Sequence, residues 1–217
     1  MSQWEYLSAF DLDRTLLRGN SSFQLCLHLI SKKKLPRWAL FYSIFCYLLH
    51  RLGVLSLKQL HHKVFNRWLR GFSLVTLSKE VDNYLLKFKE SRYYLPAMHQ
   101  FRLAKKAGHF TLLLSNAPSF LVEKIAHFLG FDAVFASDYA VDKEQKLCKI
   151  STILVGENKA EVLKAYAQKC GIKIENTIAY SDSILDLPFL QSAGRAVAVN
   201  PDSRLRAFSQ REKWLTL

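Results

Sequence analysis

Short continuous apolar runs, each followed by a stretch of helical spacing, constrain this chain most. Such runs are buried on both faces and belong to parallel strands rather than to half-exposed sheets. Thr111-Leu112-Leu113-Leu114 is one, with Pro118 at an expected first helical position. Residues 120–129 then show helical spacing, with Gly130 as the stop. Ala133-Val134-Phe135-Ala136 reads as a strand, and residues 139–150 as a surface hairpin around Asp142-Lys143-Glu144-Gln145-Lys146. A helix is expected over 158–170, a strand over 177–180, a short helix over 184–191 and a last strand over 195–199. Near the start, Tyr6-Leu7-Ser8-Ala9-Phe10 is a run of the same kind. The alternation predicts an α/β fold with a mainly parallel sheet and helices on both faces.

Residues 18–92 break the alternation. They are rich in Leu, aromatics and Lys/Arg, and apolar residues recur at helical spacing, as in Leu60, Val64, Trp68 and in Val81, Leu85, Phe88. The segment reads as a helical insertion after the first strand, with residues 91–96 as the return hinge. It carries 14 Lys/Arg against 3 Asp/Glu, whereas the rest of the chain has 17 against 15. The excess of +13 is therefore concentrated there, suited to a phosphorylated substrate, an anionic membrane surface or plain solubility. No nucleic-acid-binding motif accompanies it, and no feature sets an oligomeric state.

The most apolar run, Trp38-Ala39-Leu40-Phe41-Tyr42-Ser43-Ile44-Phe45-Cys46-Tyr47-Leu48-Leu49, meets His50 and Arg51 at its end. Twelve helical residues span about 18 Å against a bilayer core of about 30 Å, so a crossing is not expected. The run is read as a buried helix of the insertion, with interfacial membrane contact beside Lys32-Lys33-Lys34 as the alternative. The four cysteines and seven histidines show no Cys-x-x-Cys or zinc-like grouping. Reduced thiols and a cytoplasmic setting, with the inner face of a membrane as an option, are the expectation. Met1-Ser2-Gln3-Trp4-Glu5 does not read as a signal peptide.

Asp11-Leu12-Asp13-Arg14-Thr15-Leu16 directly follows the first apolar run. At the carboxyl end of a strand in an open α/β sheet, such acids face the ligand crevice. Two buried carboxylates repel each other, and a cation relieves that; oxygen-only ligands favour Mg²⁺. Asp-x-Asp is equally ordinary turn chemistry, because Asp bonds its own backbone. Three later groups bear on the choice. Ser115-Asn116 follows a strand, as an anion cradle or a simple helix cap. Lys159 stands in the first turn of a helix, against the helix dipole, as if facing an anion or free in solvent. Asp182 and Asp186 follow another strand, as cation ligands or as cap and helix-face residues.

In this order, DLDRTL, LLLSNA, the Lys of GENK and YSDSILDLP resemble the haloacid dehalogenase-like phosphohydrolase superfamily. The resemblance runs on through AVAVNPD, and is strongest to the phosphoserine-phosphatase-like branch and its broad hydrolase subfamily. It implies a Rossmann-like core of residues 1–17 and 93–217 with an inserted helical cap, 18–92. It implies Asp11 as nucleophile, forming an aspartyl-phosphate, and Asp13 as general acid and then base, with Thr15 helping to hold the phosphate geometry. Mg²⁺ would be bound by the Asp11 carboxylate, the Asp13 carbonyl and Asp182, with Asp186 a ligand or its support. Ser115, Asn116 and Lys159 would bind the phosphoryl oxygens. The implied substrate is a small phosphorylated metabolite. Phosphoserine phosphatases of this kind carry a Glu soon after the first motif for the substrate amine. Arg18-Gly19-Asn20-Ser21-Ser22-Phe23 has no acid, which argues against phosphoserine. Some subfamily members act on phosphatidylglycerophosphate, so a lipid phosphate at an anionic membrane is the alternative. A binding protein with incidental catalysis is a further one.

Overall fold

The computed structural model describes residues 4–217; Met1, Ser2 and Gln3, where the signal-peptide reading begins, lie outside the described residues. Its centre is β1 (Leu7–Phe10), every residue of which is buried. It pairs in parallel with β2 (Phe110–Pro118) on one side and β5 (Thr177–Ser181) on the other. A strand flanked on both sides and covered on both faces must be apolar throughout, and this one nearly is. Successive side chains alternate between faces. Phe10 and Leu113 join one hydrophobic core with Phe101 and Ile125. Leu7, Ala9, Leu112 and Leu114 join the other with Leu163, Ala167 and Phe189.

The sheet continues through β3 (Ala133–Val141) and β4 (Leu147–Thr152) at one edge, and β6 (Arg195–Ala198) and β7 (Leu215–Thr216) at the other. The order is β4-β3-β2-β1-β5-β6-β7, and only the β3–β4 pair is antiparallel. This is the expected mainly parallel α/β architecture, and β3–β4 is the expected hairpin.

Four helices stand between β1 and the rest of the sheet: α1 (Ser21–Ser31), α2 (Trp38–Arg51), α3 (Leu57–Val64) and α4 (Leu74–Leu85). Asn20, Ser56 and Ser73 cap three of them, each side chain accepting from the N–H three residues on. A wide turn, Phe65–Leu69, extends α3. The outgoing and returning chains lie side by side: Arg18 N–H donates to Arg92 O at 2.8 Å and Tyr94 N–H to Leu16 O at 2.9 Å. The helical segment also rests on the hairpin, with Gly71 N–H donating to Leu147 O at 2.7 Å.

α2 is not the buried helix expected of so apolar a run. Only Ala39 and Cys46 are buried, while Phe41 is 68% exposed, Phe45 57% and Leu48 53%. One side of α2 packs on α1 and α3, and the opposite side carries the exposed Trp38, Phe41, Phe45 and Leu48. A helix apolar all round gives no periodicity from which the covered face could be read. No helix among the described residues is long and apolar enough to cross a membrane.

Five helices complete the fold: α5 (Leu95–Lys106), α6 (Ser119–Leu129), α7 (Glu157–Lys169), α8 (Leu187–Gln191) and α9 (Ser203–Arg211). α6 ends at Gly130, whose φ of 78° is the left-handed stop expected of it. Pro118 is the residue before α6 rather than its first. Ile184–Asp186 is a tight 3₁₀ turn leading into α8, so the short helix expected over 184–191 comes in two pieces.

Candidate active site

The loop after β1 is held by its own apolar residues. Asp11 N–H extends the ladder to Tyr180 O at 2.9 Å, Leu12 and Leu16 are buried, and Leu16 and Leu17 N–H both donate to Leu12 O at 3.0 Å. The backbone turns at Arg14 with φ of 62°, a left-handed conformation that costs a side-chain-bearing residue about 1–2 kcal/mol. Its guanidinium donates to Tyr47 Oη on α2 at 2.7 Å, tying the acidic loop to the helical segment.

Asp11 is buried, and Lys159 lies on it. Lys159 Nζ donates to Asp11 Oδ1 and to Asp186 Oδ2, each at 2.6 Å. The third residue of α7 thus opposes the helix dipole with two carboxylates in compensation, and the open choice for Lys159 resolves to anion contact. Asp186 Oδ2 also accepts from Ser181 Oγ at 2.8 Å, and its Oδ1 from the Gly156 N–H at 3.4 Å. Gly156 has φ of 50°, and a Cβ there would lie 2.9 Å from Leu185 O, so glycine is required for this approach. Burial pulls the Lys159 ammonium down, but Asp11 and Asp186 outweigh it and hold its pKa above the usual lysine value.

Asp13 is half-buried and held from the start of α1. Ser21 N–H donates to Oδ1 at 2.7 Å and Asn20 Nδ2 to Oδ2 at 2.9 Å. Burial pushes its pKa up to about 7 against the pull of the Ser21 hydrogen bond. Burial raises Asp11 to about 6, with Lys159 opposing and Asp186 adding to the rise. Asp182 is raised to about 8 by burial, then by Asp11 and Asp186. The hydroxyl of Thr15 is buried and has no hydrogen-bond partner.

Ser115 is placed differently from its expectation. β2 runs on to Pro118, so Ser115 lies within its last turn of strand, and a register shift follows between Ser115 and Pro118. Ser115 Oγ accepts from Ala117 N–H at 3.2 Å, and α6 begins only at Ser119. The parallel pairing of Phe10 with Leu113 nevertheless brings Ser115 and half-exposed Asn116 to the same carboxyl end of the sheet as Asp11. Asp182 does not cap a helix; Ser183 does, and Asp202 holds the loop. Asp202 N–H donates to Asp182 O at 2.8 Å, and Asp202 Oδ2 accepts from Ile184 N–H at 2.9 Å.

Asn20, Ser21, Tyr47, Gly156, Ser181 and Asp202 were not singled out from sequence. Gly156, Ser181 and Asp202 nevertheless lie within the GENK, YSDSILDLP and AVAVNPD segments. Beside Asp13 lies a cleft of about 400 Å³ lined by Arg18, Asn20, Ser21, Gln24, Tyr84 and Arg92, among others. Arg92 donates to Gln24 Oε1 at 2.9 Å, and the cleft walls contain no acid.

The donor set is oxygen-only, crowded and short of positive charge. That suits a hard cation, and the three carboxyl pKa values, raised first by burial, mark acids taken out of water. Among the described residues, no three acidic, His or Cys side chains converge on one ligand point. A cation held here by few side chains matches the way Mg²⁺ keeps several waters.

Comparison with known proteins places the chain among hydrolases. A sequence model of haloacid dehalogenase-like hydrolases matches residues 9–191. The chain is 26% identical over 211 residues to a Mycobacterium tuberculosis protein named "Probable phosphatase", covering 96% of this chain and 73% of that one. It is 31% identical over 144 residues to a phosphoserine phosphatase of the same organism, covering 65% of this chain and 45% of the relative. A solved structure of a phosphoserine phosphatase as a phospho-aspartyl intermediate analogue superposes with a TM-score of 0.69 at 20% identity, over 98% of this chain and 92% of that one. The chain belongs to the haloacid dehalogenase-like hydrolase family, and the relatives it resembles include phosphoserine phosphatases.

Proposed function

We propose that the protein is a Mg²⁺-dependent phosphomonoester hydrolase working through an aspartyl-phosphate on Asp11, with a core of residues 1–17 and 93–217 and a cap of residues 18–92. The observation that carries this reading is Lys159, buried and paired with Asp11 at 2.6 Å, while Asp13 stands beside it with a carboxyl pKa near 7. Ion pairing favours the charged form of Asp11, as a nucleophile requires. Burial lets Asp13 hold a proton near neutrality, as a general acid requires.

In the first step an Asp11 oxygen bonds to phosphorus, the bond to the leaving oxygen breaks, and Asp13 gives that oxygen its proton. In the second, Asp13 takes a proton from water as the water attacks phosphorus, and the bond to Asp11 breaks. Asn20 and Ser21 hold Asp13 in place through both steps. Lys159, Ser115 and Asn116 neutralise and orient the transferring oxygens, which is most of what phosphoryl transfer needs. Thr15 offers them its unpartnered hydroxyl. Asp11, the Asp13 carbonyl and Asp182 would hold Mg²⁺, with Asp186 as a further ligand or its support, and the ion would supply charge neutralisation at the phosphate. The fold shared with a phospho-aspartyl analogue of phosphoserine phosphatase supports the covalent route.

The substrate is a small phosphorylated molecule. Arg18 and Arg92 in the cleft beside Asp13 suit an anionic remainder and offer nothing to an ammonium group. The test is hydrolysis of an aryl phosphate with Mg²⁺ and with chelator. Asp11→Asn abolishes phosphate release and the acid-stable mass increase of phosphorylated enzyme. Residual activity above a few per cent overturns the nucleophile assignment.

A further inference from the structure

α2 and its C-cap residue carry their most exposed apolar side chains in one line. Trp38, Phe41, Phe45, Leu48 and Leu52 follow one another at alternating steps of three and four, which keeps them on a single face. Each is more than half exposed. Single apolar residues on a surface need no explanation, but a continuous stripe about 21 Å long does. The charge around it is one-sided. Lys32, Lys33, Lys34 and Arg37 precede the helix, Arg51 ends it and Lys58 follows, all exposed. Between Asp13 and Glu80 the chain has no acidic residue at all.

We propose that this face docks on an anionic lipid bilayer, with α2 lying in the interface. The stripe rewards burial among acyl chains, the flanking cations reward anionic headgroups, and the helix is too short to cross. Trp38 near the start of α2 suits the interfacial level. A second copy of the chain is a poor occupant, because a two-fold contact sets each cation cluster near its own image. Nucleic acid rewards the cations and leaves the stripe in water.

The docking face is connected to the site. Tyr47 on α2 accepts the hydrogen bond from Arg14, in the loop that bears Asp11 and Asp13. A docked α2 therefore holds the acidic loop close to the bilayer, and, resting on the proposed hydrolase reading, the substrate is a phosphomonoester displayed at that surface.

Vesicle flotation tests this with phosphatidylcholine vesicles, with and without phosphatidylglycerol. Binding is expected at low salt to the anionic vesicles only. The double variant Phe41→Ser/Phe45→Ser lowers it about tenfold or more. Lys32→Gln/Lys33→Gln/Lys34→Gln lowers it about fivefold per charge, an effect that salt mimics. Aryl phosphate hydrolysis in solution stays unchanged in both, which shows that they fold, while release of phosphate from a phosphomonoester lipid in the vesicles falls. No binding at low salt, equal binding to neutral vesicles, or a concentration-dependent dimer that the double variant abolishes in place of vesicle binding each overturns the docking. Aryl phosphate hydrolysis that persists in those cases leaves the hydrolase reading standing. Failure of the unaltered protein to hydrolyse any phosphomonoester, with binding intact, removes that reading and not the docking.

Discussion

Lys159 and Asp11 form an ion pair at 2.6 Å in which neither side chain has more than a sliver of surface, 1% and 7%. Removing one member of a buried pair strands the other's charge, which costs about 3–5 kcal/mol. Lys159→Met leaves both Asp11 and Asp186 facing each other, so the loss of stability lies in that range and activity vanishes. Urea denaturation measures the first. A loss below about 1 kcal/mol shows that the carboxylates find another partner or take up protons at little cost.

The raised carboxyl groups make stability depend on pH in a stated direction. Asp11, Asp13 and Asp182 sit near 6, 7 and 8 in the folded protein, against an ordinary 3.8. Between those limits the folded protein keeps protons that the unfolded chain has released, so stability falls as pH rises from about 4 to about 8. The chelated protein therefore melts lower at pH 8 than at pH 5.5. Added Mg²⁺ binds the ionised form and raises Tm more at the higher pH. Asp182→Asn flattens the dependence in chelator. A Tm that is level across this window contradicts the burial of these acids.

Asp202 serves two segments at once. Its carboxylate caps α9 by accepting from Arg204 and Leu205 N–H, and it accepts from Ile184 N–H in the loop that carries Asp182. Asp202→Ala costs about 1–2 kcal/mol through the lost cap. Its sharper effect is a higher Mg²⁺ concentration for half-maximal activity, because the Asp182 loop loses its anchor. An unchanged Mg²⁺ requirement with reduced stability confines Asp202 to the helix cap.

The strands were legible because doubly buried strands leave unbroken apolar runs, as at Leu112, Leu113 and Leu114. Their ends then located Asp11, Lys159 and Asp182 relative to the sheet. Other features left no such trace. α5 lies directly after the return hinge and follows no strand, so the alternation did not reveal it. The exposure of α2 depends on what packs against it, which an all-apolar helix does not encode. The grip of Asn20 and Ser21 on Asp13 uses a helix N-terminus whose cap, Asn20, points back at a loop seven residues earlier. The pairing of Lys159 with Asp186 needs α7 and the 184–186 turn to meet through Gly156, a tertiary contact with no local pattern.

The central position of β1 has a consequence for how the protein comes to be folded. Its neighbours begin at Phe110 and Thr177, and Asp11 meets its ammonium partner 148 residues further along the chain. Contacts so distant in sequence are slow to form and cost loop entropy before they return anything. A partly synthesised chain therefore holds the acidic loop without the strands that bury it or the lysine that offsets it. The acids titrate like those of any flexible peptide until β5 is laid beside β1. Assembly of the site is thus a late and cooperative event, and the appearance of activity during refolding reports completion of the whole sheet.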